Sequence, residues 1–167
     1  MTAAFRLEVL SAAHDRSTFA SGDAALDRYF REQVTQDVRR RATACYVAVE
    51  ATTSAVAGYY TLAASGVPLG EMPEALSKRL PRYPLVPVAR LGRLAVATSH
   101  RGRRLGSALL ANAALRAIGS EVAVFALAVD AKDEVAAAFY LHHGFIPYRS
   151  EARQMMLPLA SFGKGRS

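Results

Sequence analysis

The segment from residue 88 to residue 129 constrains the fold of this chain more than any other. It begins with a strand-like stretch, residues 88–96 (VARLGRLAV), and passes through a basic, glycine-containing loop into a helix predicted from about Arg104 to Ile118. Gly119 ends this helix, because glycine readily adopts the backbone conformation that follows a helix C-terminus. The next stretch, residues 122–129 (VAVFALAV), is apolar on both faces and predicts a central strand. This order of elements favours an α/β or α+β domain around a mixed sheet.

The flanking regions add further strands and helices. Asp23 occupies a helix N-cap position, and Leu26, Phe30, Val34 and Val38 follow it at four-residue spacing. This pattern predicts an amphipathic helix that ends near residue 41. Prolines interrupt regular structure over residues 66–87, where only 74–79 favour a short helix. The remaining predicted elements are a helix over 132–143 and strands over 4–10, 44–50, 55–64, 145–149 and 153–158.

Composition narrows the class of protein. A chain of 167 residues is the size of one domain, which we expect to span residues 1–167. Its single cysteine, Cys45, excludes an internal disulfide and a cysteine-built zinc site. His142 and His143 are adjacent and point in different directions on a helix, so no metal site is predicted. Charged residues near the start leave no room for a signal-peptide core, and no apolar run approaches the ~20 residues that span a bilayer. We therefore expect a soluble cytoplasmic protein without membrane contact.

The charge of the chain points to its partners. Lysine and arginine number 21 against 14 aspartate and glutamate residues, a formal net charge of +7. This balance favours a polyanionic partner, such as nucleic acid, a phosphate-rich cofactor or an acidic protein. A basic surface without a partner is the alternative that charge alone leaves open.

Residues 101–106 (RGRRLG), which we call the basic loop, lie at the start of a predicted helix. The first N–H groups of a helix have no intrahelical partner and, with the helix dipole, favour a phosphate. The loop lacks the Gly-Lys-Ser/Thr ending of a Walker loop and the glycine spacing of a Rossmann loop. A simple basic turn is the remaining alternative. His100, just before the loop, is expected to be solvated.

The chain resembles the GNAT superfamily of acyl-CoA-dependent N-acetyltransferases, whose pyrophosphate loop reads Arg/Gln-x-x-Gly-x-Gly/Ala. Arg101 and Gly106 fit the ends of this motif, whereas Arg104 replaces its central glycine. The resemblance is strongest to toxins of bacterial toxin–antitoxin pairs that acetylate aminoacyl-tRNA. Its carrying segments, in order, are Phe19-Ala-Ser-Gly-Asp with Leu26-Asp27, Gly58-Tyr-Tyr-Thr-Leu, Leu80-Pro-Arg-Tyr-Pro, Gly92-Arg-Leu-Ala-Val, Ala131-Lys-Asp-Glu with Phe139-Tyr140, and Gly144-Phe145.

The resemblance implies a GNAT fold, with six to seven strands flanked by about four helices, and an acetyl-CoA site. The implied contacts of acetyl-CoA fall on the end of a strand, the basic loop and the start of the last helix. They are Leu94, Ala95, Val96, Arg101, Gly102, Arg103, Arg104, Leu105, Gly106, Ser107, Lys132, Asp133, Ala136 and Phe139. Tyr140 is implied to be the general acid that protonates the departing coenzyme A thiolate.

The spacing of the last helix supports a cleft-facing position for Tyr140. Val135, Phe139 and His142 are expected to form the core face, which places Tyr140 one step away, beside small residues. No residue is an obvious general base. Glu134 is a candidate, although an acid at a helix start more often stabilises that helix.

The acceptor implied by the resemblance is aminoacyl-tRNA, and the implied partners are a small DNA-binding antitoxin and a second copy of the chain. A basic surface suits a polyanionic acceptor better than a small amine. Two alternatives remain open: a GNAT enzyme acting on a protein or small-molecule amine, and a catalytically silent binding module. The expected acceptor-binding residues are Arg79, Arg82, Arg93 and Tyr60.

Overall fold

The computed structural model describes residues 4–161 and contains a mixed sheet with helices along the chain. Seven described strands form one sheet in the order β1-β2-β3-β4-β5-β7-β6. They are β1 (Phe5–Val9), β2 (Ala44–Glu50), β3 (Val56–Pro68), β4 (Leu85–Val96), β5 (Ala126–Asp130), β6 (Ile146–Pro147) and β7 (Gln154–Pro158). The described helices are α1 (Ala24–Arg28), α2 (Val34–Arg39), α3 (Glu74–Ser77), α4 (Leu105–Ile118) and α5 (Glu134–His142). A π-helical turn, Tyr29–Gln33, joins α1 to α2, so the two form one continuous helical segment.

The pairing of the strands makes the sheet mixed, as predicted. β1 pairs with β2 and β2 with β3 in antiparallel fashion. β4 and β5 run parallel, with Val88 opposite Ala126 and Leu91 opposite Val129. β7 pairs antiparallel with both β5 and β6. The α/β prediction with about four helical segments is therefore confirmed.

The chain divides into two compact units. The first comprises the described residues up to Ala63 together with Gly92–Ala113, and the second comprises Ala64–Leu91 with the described residues from Ala114 onward. A single domain over the full chain stays a prediction.

The core of the first unit lies where the helical segment packs on the sheet. Asp23 caps α1 by accepting hydrogen bonds from the Ala25 and Leu26 N–H groups, as the sequence predicts. The rings of Phe30 and Tyr59 stack with centroids 4.1 Å apart, and the Phe19 ring meets both at its edge. Burial of such aromatic rings fixes the helical segment against β3.

The second unit has its own core. Val67, Met72, Leu76, Val86, Val88, Ala126, Ala128, Tyr148 and Met156 form it. The predicted strand over 122–129 is too long, since β5 begins only at Ala126 and Val122 is 74% exposed. Within residues 4–161, no helix is both long and apolar enough to cross a membrane.

Candidate functional site

The basic loop joins a short 3-10 turn, Thr98–His100, to the start of α4. Two of its residues have left-handed backbone conformations, Gly102 with φ +80° and Arg104 with φ +59°. Glycine adopts this region without steric cost, whereas a residue with a Cβ is strained there. The family motif therefore has glycine at the Arg104 position for a backbone reason, and this chain retains the conformation without the glycine.

The loop has the properties of an anion site. Arg101, Gly102, Arg103 and Arg104 are all exposed, and a Cβ placed on Gly102 would meet no atom within 4 Å. The α4 N-terminus follows at once, so N–H groups without helical partners adjoin exposed guanidinium groups. The Gly102 backbone and the Arg103 and Arg104 guanidinium groups fit the pyrophosphate of an acyl-CoA, the group that the fold implies here.

A carboxylate on β2 contacts the loop. Glu50 Oε2 lies 2.5 Å from His100 Nε2 and 3.9 Å from Arg103 Nη1, and His100 Nδ1 is 2.8 Å from the Ser99 hydroxyl. The hydrogen bond with His100 is the main cause that holds the pKa of Glu50 below its ordinary value of 4.5. His100 is only 7% exposed, so the expectation of a solvated histidine is wrong. Its burial follows from pairing with a residue distant in sequence.

Arg101 points back from the loop to the segment before α1. Its guanidinium donates a hydrogen bond to the Ser21 carbonyl. Ser21 in turn donates its N–H and its hydroxyl to the buried carboxylate of Asp27. Sequence reasoning gave no role to Ser21 or Asp27, although both belong to the Phe19–Asp27 pattern that carries the family resemblance.

The end of β4 carries the residues predicted to face the pantetheine arm. Pairing with β5 ends at Leu91, whereas β4 continues to Val96. Ala95 is buried, and Leu94 and Val96 are half-buried. Gly58 on β3 allows close packing here, because a Cβ at that position would lie 2.9 Å from the Ala95 carbonyl oxygen.

Tyr140 lies on α5 and is half-buried. The ring packs against Phe145 and Phe139, with centroids 5.2 Å and 5.3 Å away. Burial raises the pKa of Tyr140 to about 12. Within residues 4–161, the Tyr140 hydroxyl has no hydrogen-bond partner. The phenol is thus protonated at neutral pH and able to donate.

The predicted core face of α5 is wrong. Val135 is 80% exposed and His142 is also exposed, whereas Ala137 is buried. Ala137 and Tyr140 are three residues apart, so they share a face and Tyr140 is on the packed side. The prediction failed because it assigned the core face to the larger side chains, whereas the buried residue of this helix is Ala137.

The start of α5 holds the other predicted cofactor residues of this segment. Asp133 caps the helix by accepting a hydrogen bond from the Ala136 N–H (2.8 Å). Lys132 and Asp133 are exposed, and Ala136 and Phe139 are half-buried. The carboxylate of Glu134, the candidate base, pairs with Arg153 at 2.9 Å. This pairing favours an electrostatic role for Glu134.

The four predicted acceptor residues have different environments. Tyr60 is fully buried and donates its hydroxyl to Asn112 Oδ1 (2.5 Å), so its side chain forms no open surface for an acceptor, contrary to expectation. Arg93 lies over the Tyr29 ring at 3.5 Å from the centroid. Arg79 and Arg82 are exposed.

A basic cavity of about 430 Å³ lies in the second unit. Lys78, Arg82 and Arg149 line it together with Leu69, Ser77 and Leu80. Arg149 was missed by sequence reasoning because it follows the short strand β6, far along the chain from α3. The structure thus adds two cations, Lys78 and Arg149, to the predicted acceptor residues.

These features define a class: an α/β protein with an exposed basic loop between a strand and the start of a helix. The chain belongs to the GNAT acetyltransferase family, because the profile of the acetyltransferase (GNAT) domain matches residues 41–147. It is therefore an acetyltransferase by family.

Three relatives show which branch of the family the chain is similar to. The tRNA-acetylating toxin of Mycobacterium tuberculosis is 32% identical over 150 residues, which cover 89% of this chain and 88% of that protein. The solved structure of AtaT complexed with acetyl-methionyl-tRNAfMet has a TM-score of 0.88 at 28% identity and covers 98% and 100% of the two chains. A mutant AtaT toxin with phenylalanine in place of a tyrosine, bound to acetyl-CoA and the C-terminus of the antitoxin AtaR, has a TM-score of 0.77 at 26% identity and covers 95% and 96%.

Proposed function

We propose that this chain is a toxin that uses acetyl-CoA to acetylate the α-amino group of aminoacyl-tRNA and so blocks translation. The observation that carries the proposal is the basic loop, an exposed anion site at the start of α4 in a GNAT family chain. The likeness, over nearly the whole chain, to a tRNA-acetylating toxin and to AtaT complexed with acetyl-methionyl-tRNAfMet supports the choice of acceptor.

Different residues of the cofactor site would bind different parts of acetyl-CoA. Backbone N–H groups of Leu105, Gly106 and Ser107, with the Arg103 and Arg104 side chains, would bind the pyrophosphate. The backbone of Leu94, Ala95 and Val96 would bind the pantetheine amides, since β4 continues past its last pair with β5. Lys132, Asp133, Ala136 and Phe139 would flank the cofactor. Acetyl-CoA supplies the acetyl group as a thioester, which a neutral amine can attack.

Tyr140 would be the general acid. A departing thiolate needs a proton, and the Tyr140 Oη carries one at neutral pH because burial raises its pKa to about 12. The absence of a hydrogen-bond partner among residues 4–161 leaves that hydroxyl available to the leaving group.

The amine of the acceptor needs no base from this chain in our proposal. Glu134 is paired with Arg153, so we propose that the α-amine loses its proton to water. An ester-linked α-amine is easy to deprotonate, and therefore suits such a route.

Arg79, Arg82 and Arg93 would contact the tRNA backbone, joined by Lys78 and Arg149 in the basic cavity. We do not include Tyr60 among the residues that would contact tRNA, because it is fully buried.

We further propose a small DNA-binding antitoxin as partner, a homodimer, a single domain over residues 1–167 and a cytoplasmic location.

Transfer of labelled acetyl groups tests the proposal. Labelled acetyl-CoA is incubated with the protein and a pool of aminoacyl-tRNAs, beside a lysine peptide and a polyamine as acceptors. We expect label on the tRNA, released by mild alkali as acetylated amino acid. Label on the peptide or polyamine alone would contradict the acceptor. No transfer and no binding of acetyl-CoA would instead identify a silent binding module.

A further inference from the structure

We propose that Asp27 and Ser21 are positioning residues for the cofactor loop, and that they act through Arg101. This inference rests on the proposed binding of acetyl-CoA at the basic loop. It assigns a role to the Phe19–Asp27 pattern, which the proposed chemistry does not use. All residues concerned lie in the first compact unit.

Asp27 is a buried carboxylate, only 6% exposed, with no cationic partner among the described residues. Its charge is stabilised by Ser21 instead. The Ser21 N–H lies 3.0 Å and 3.1 Å from the two carboxylate oxygens, and the Ser21 hydroxyl donates to Oδ1 at 2.6 Å. Hydrogen bonds to an ionised group are stronger and shorter than neutral ones. Asp27 therefore fixes Ser21 in place.

The fixed Ser21 carbonyl accepts a hydrogen bond from the Arg101 guanidinium. Gly22 makes this approach feasible, since its φ is +92° and a Cβ there would lie 2.9 Å from Arg101 Nη2. A second bond joins the same segments, from the Thr98 N–H to the Ala20 carbonyl at 2.9 Å. The Arg101 side chain thus holds the start of the basic loop, and the Thr98 N–H holds the 3-10 turn before it. We call these two contacts with residues 20 and 21 the anchor.

In this arrangement the arginines of the basic loop have different roles. The Arg101 guanidinium is engaged by the Ser21 carbonyl and orients the loop. Arg104 and Arg103 remain exposed and able to meet phosphate oxygens, although Arg103 Nη1 also lies 3.9 Å from Glu50 Oε2. The geometry of the loop then depends on Asp27, which does not touch the cofactor. The contact between Arg101 and Ser21 also requires glycine at position 22, because a Cβ there would lie 2.9 Å from Arg101 Nη2.

The first test measures acetyl-CoA affinity by calorimetry for Asp27→Asn, Ser21→Ala and Arg101→Met. We expect Kd and the KM for acetyl-CoA to rise about tenfold, with kcat at saturation and the KM for aminoacyl-tRNA unchanged. Arg101→Lys should restore part of the affinity, because an ammonium group also donates to a carbonyl. Arg16→Ala is the matched control, since Arg16 donates to the Phe30 carbonyl (2.6 Å) outside the loop. It should lower thermal stability without changing Kd, and an equal change of Kd in Arg16→Ala would overturn the proposal.

A double-mutant cycle separates anchoring from direct phosphate contact. If Asp27 acts through Arg101, Asp27→Asn should add nothing to the Kd of Arg101→Met. The salt dependence of Kd should also stay the same in Arg101→Met, because the guanidinium contacts a carbonyl and not a phosphate. Additive effects, or a clearly weaker salt dependence, would show that Arg101 contacts the phosphates directly and would overturn the proposal.

Hydrogen exchange of the protein without cofactor tests directly whether Asp27 restrains the basic loop. We expect Asp27→Asn to speed amide exchange in residues 98–107, and Arg16→Ala to leave that segment unchanged. Unchanged exchange in Asp27→Asn would refute the anchor. If exchange responds but the wild type binds no acetyl-CoA, the anchor stands and the proposed function fails.

Discussion

At the scale of single residues, Tyr140 combines a packed ring with a hydroxyl that has no partner in the described part of the chain. The ring contributes to packing, and the hydroxyl is the group that we propose as the general acid. Removing the hydroxyl oxygen alone therefore separates the contribution to packing from the contribution to catalysis.

Tyr140→Phe should reduce kcat by about 10²–10⁴-fold, the usual contribution of a general acid. Its melting temperature should stay within about a degree of the wild type, because the packing of the ring is kept and no hydrogen bond is lost. Tyr148→Phe is the control, since it removes another tyrosine hydroxyl from the second unit. Steady-state kinetics and calorimetry give both values. An active Tyr140→Phe enzyme would remove Tyr140 from the mechanism.

Glu50 and His100 predict a pH effect on stability. The pKa of Glu50 is lowered in the folded state, mainly by its hydrogen bond with His100. Its stabilising contribution is thus present above the ordinary pKa of 4.5 and is lost as the pH falls through the lower folded value. Glu50→Gln should therefore lose less stability than the wild type on acidification below that range. Denaturant unfolding measures this difference, with the exposed Glu121→Gln as control; parallel acid curves would exclude the contribution.

At the scale of elements, the basic loop contains a strained residue. Arg104 has φ +59°, so Arg104→Gly should raise the free energy of unfolding by about 1 kcal/mol. Arg104→Ala keeps the Cβ and should give no such gain. Arg41→Gly, which changes another residue at φ +59°, should also stabilise the protein. Only Arg104→Gly and Arg104→Ala should weaken acetyl-CoA binding at low salt; a loss of stability in Arg104→Gly would contradict the assignment of strain.

Elements with local signals were predictable. Asp23 and the spacing of Phe30 and Val34 predict the helical segment correctly, because capping and amphipathic burial are encoded within a few residues. The π-helical turn within it has no local signal. β5 is shorter than predicted, since the apolar residues 122–125 lie before the first strand pair, and pairing depends on distant residues.

The site was predictable only in part. The basic loop follows from charge, glycine and position before a helix. The contacts of His100 with Glu50 and of Arg101 with Ser21 join residues 50 and 80 positions apart, which no local pattern reveals. The predicted core face of α5 was wrong for another reason, because Ala137 is buried where Val135 was expected to be.

At the scale of the whole molecule, the net charge of +7 suits a polyanionic acceptor. Arg82→Gln should weaken tRNA binding and reduce the slope of log affinity against log salt by about one. Arg153→Gln makes the same change in formal charge, but Arg153 pairs with Glu134 at 2.9 Å, so we expect a smaller effect. Binding titrations over a range of salt concentrations measure both slopes. Equal slopes for wild type and Arg82→Gln would place the tRNA elsewhere.

The central claim is that an acetyl group moves to the α-amine of an amino acid esterified to tRNA. The most direct measurement is mass spectrometry of the aminoacyl-adenosine released by ribonuclease from tRNA treated with acetyl-CoA and the enzyme. We expect a mass increase of one acetyl group on the α-nitrogen with wild type, and none with Tyr140→Phe. Unmodified aminoacyl-adenosine with the wild type, or acetyl on any other atom, would contradict it.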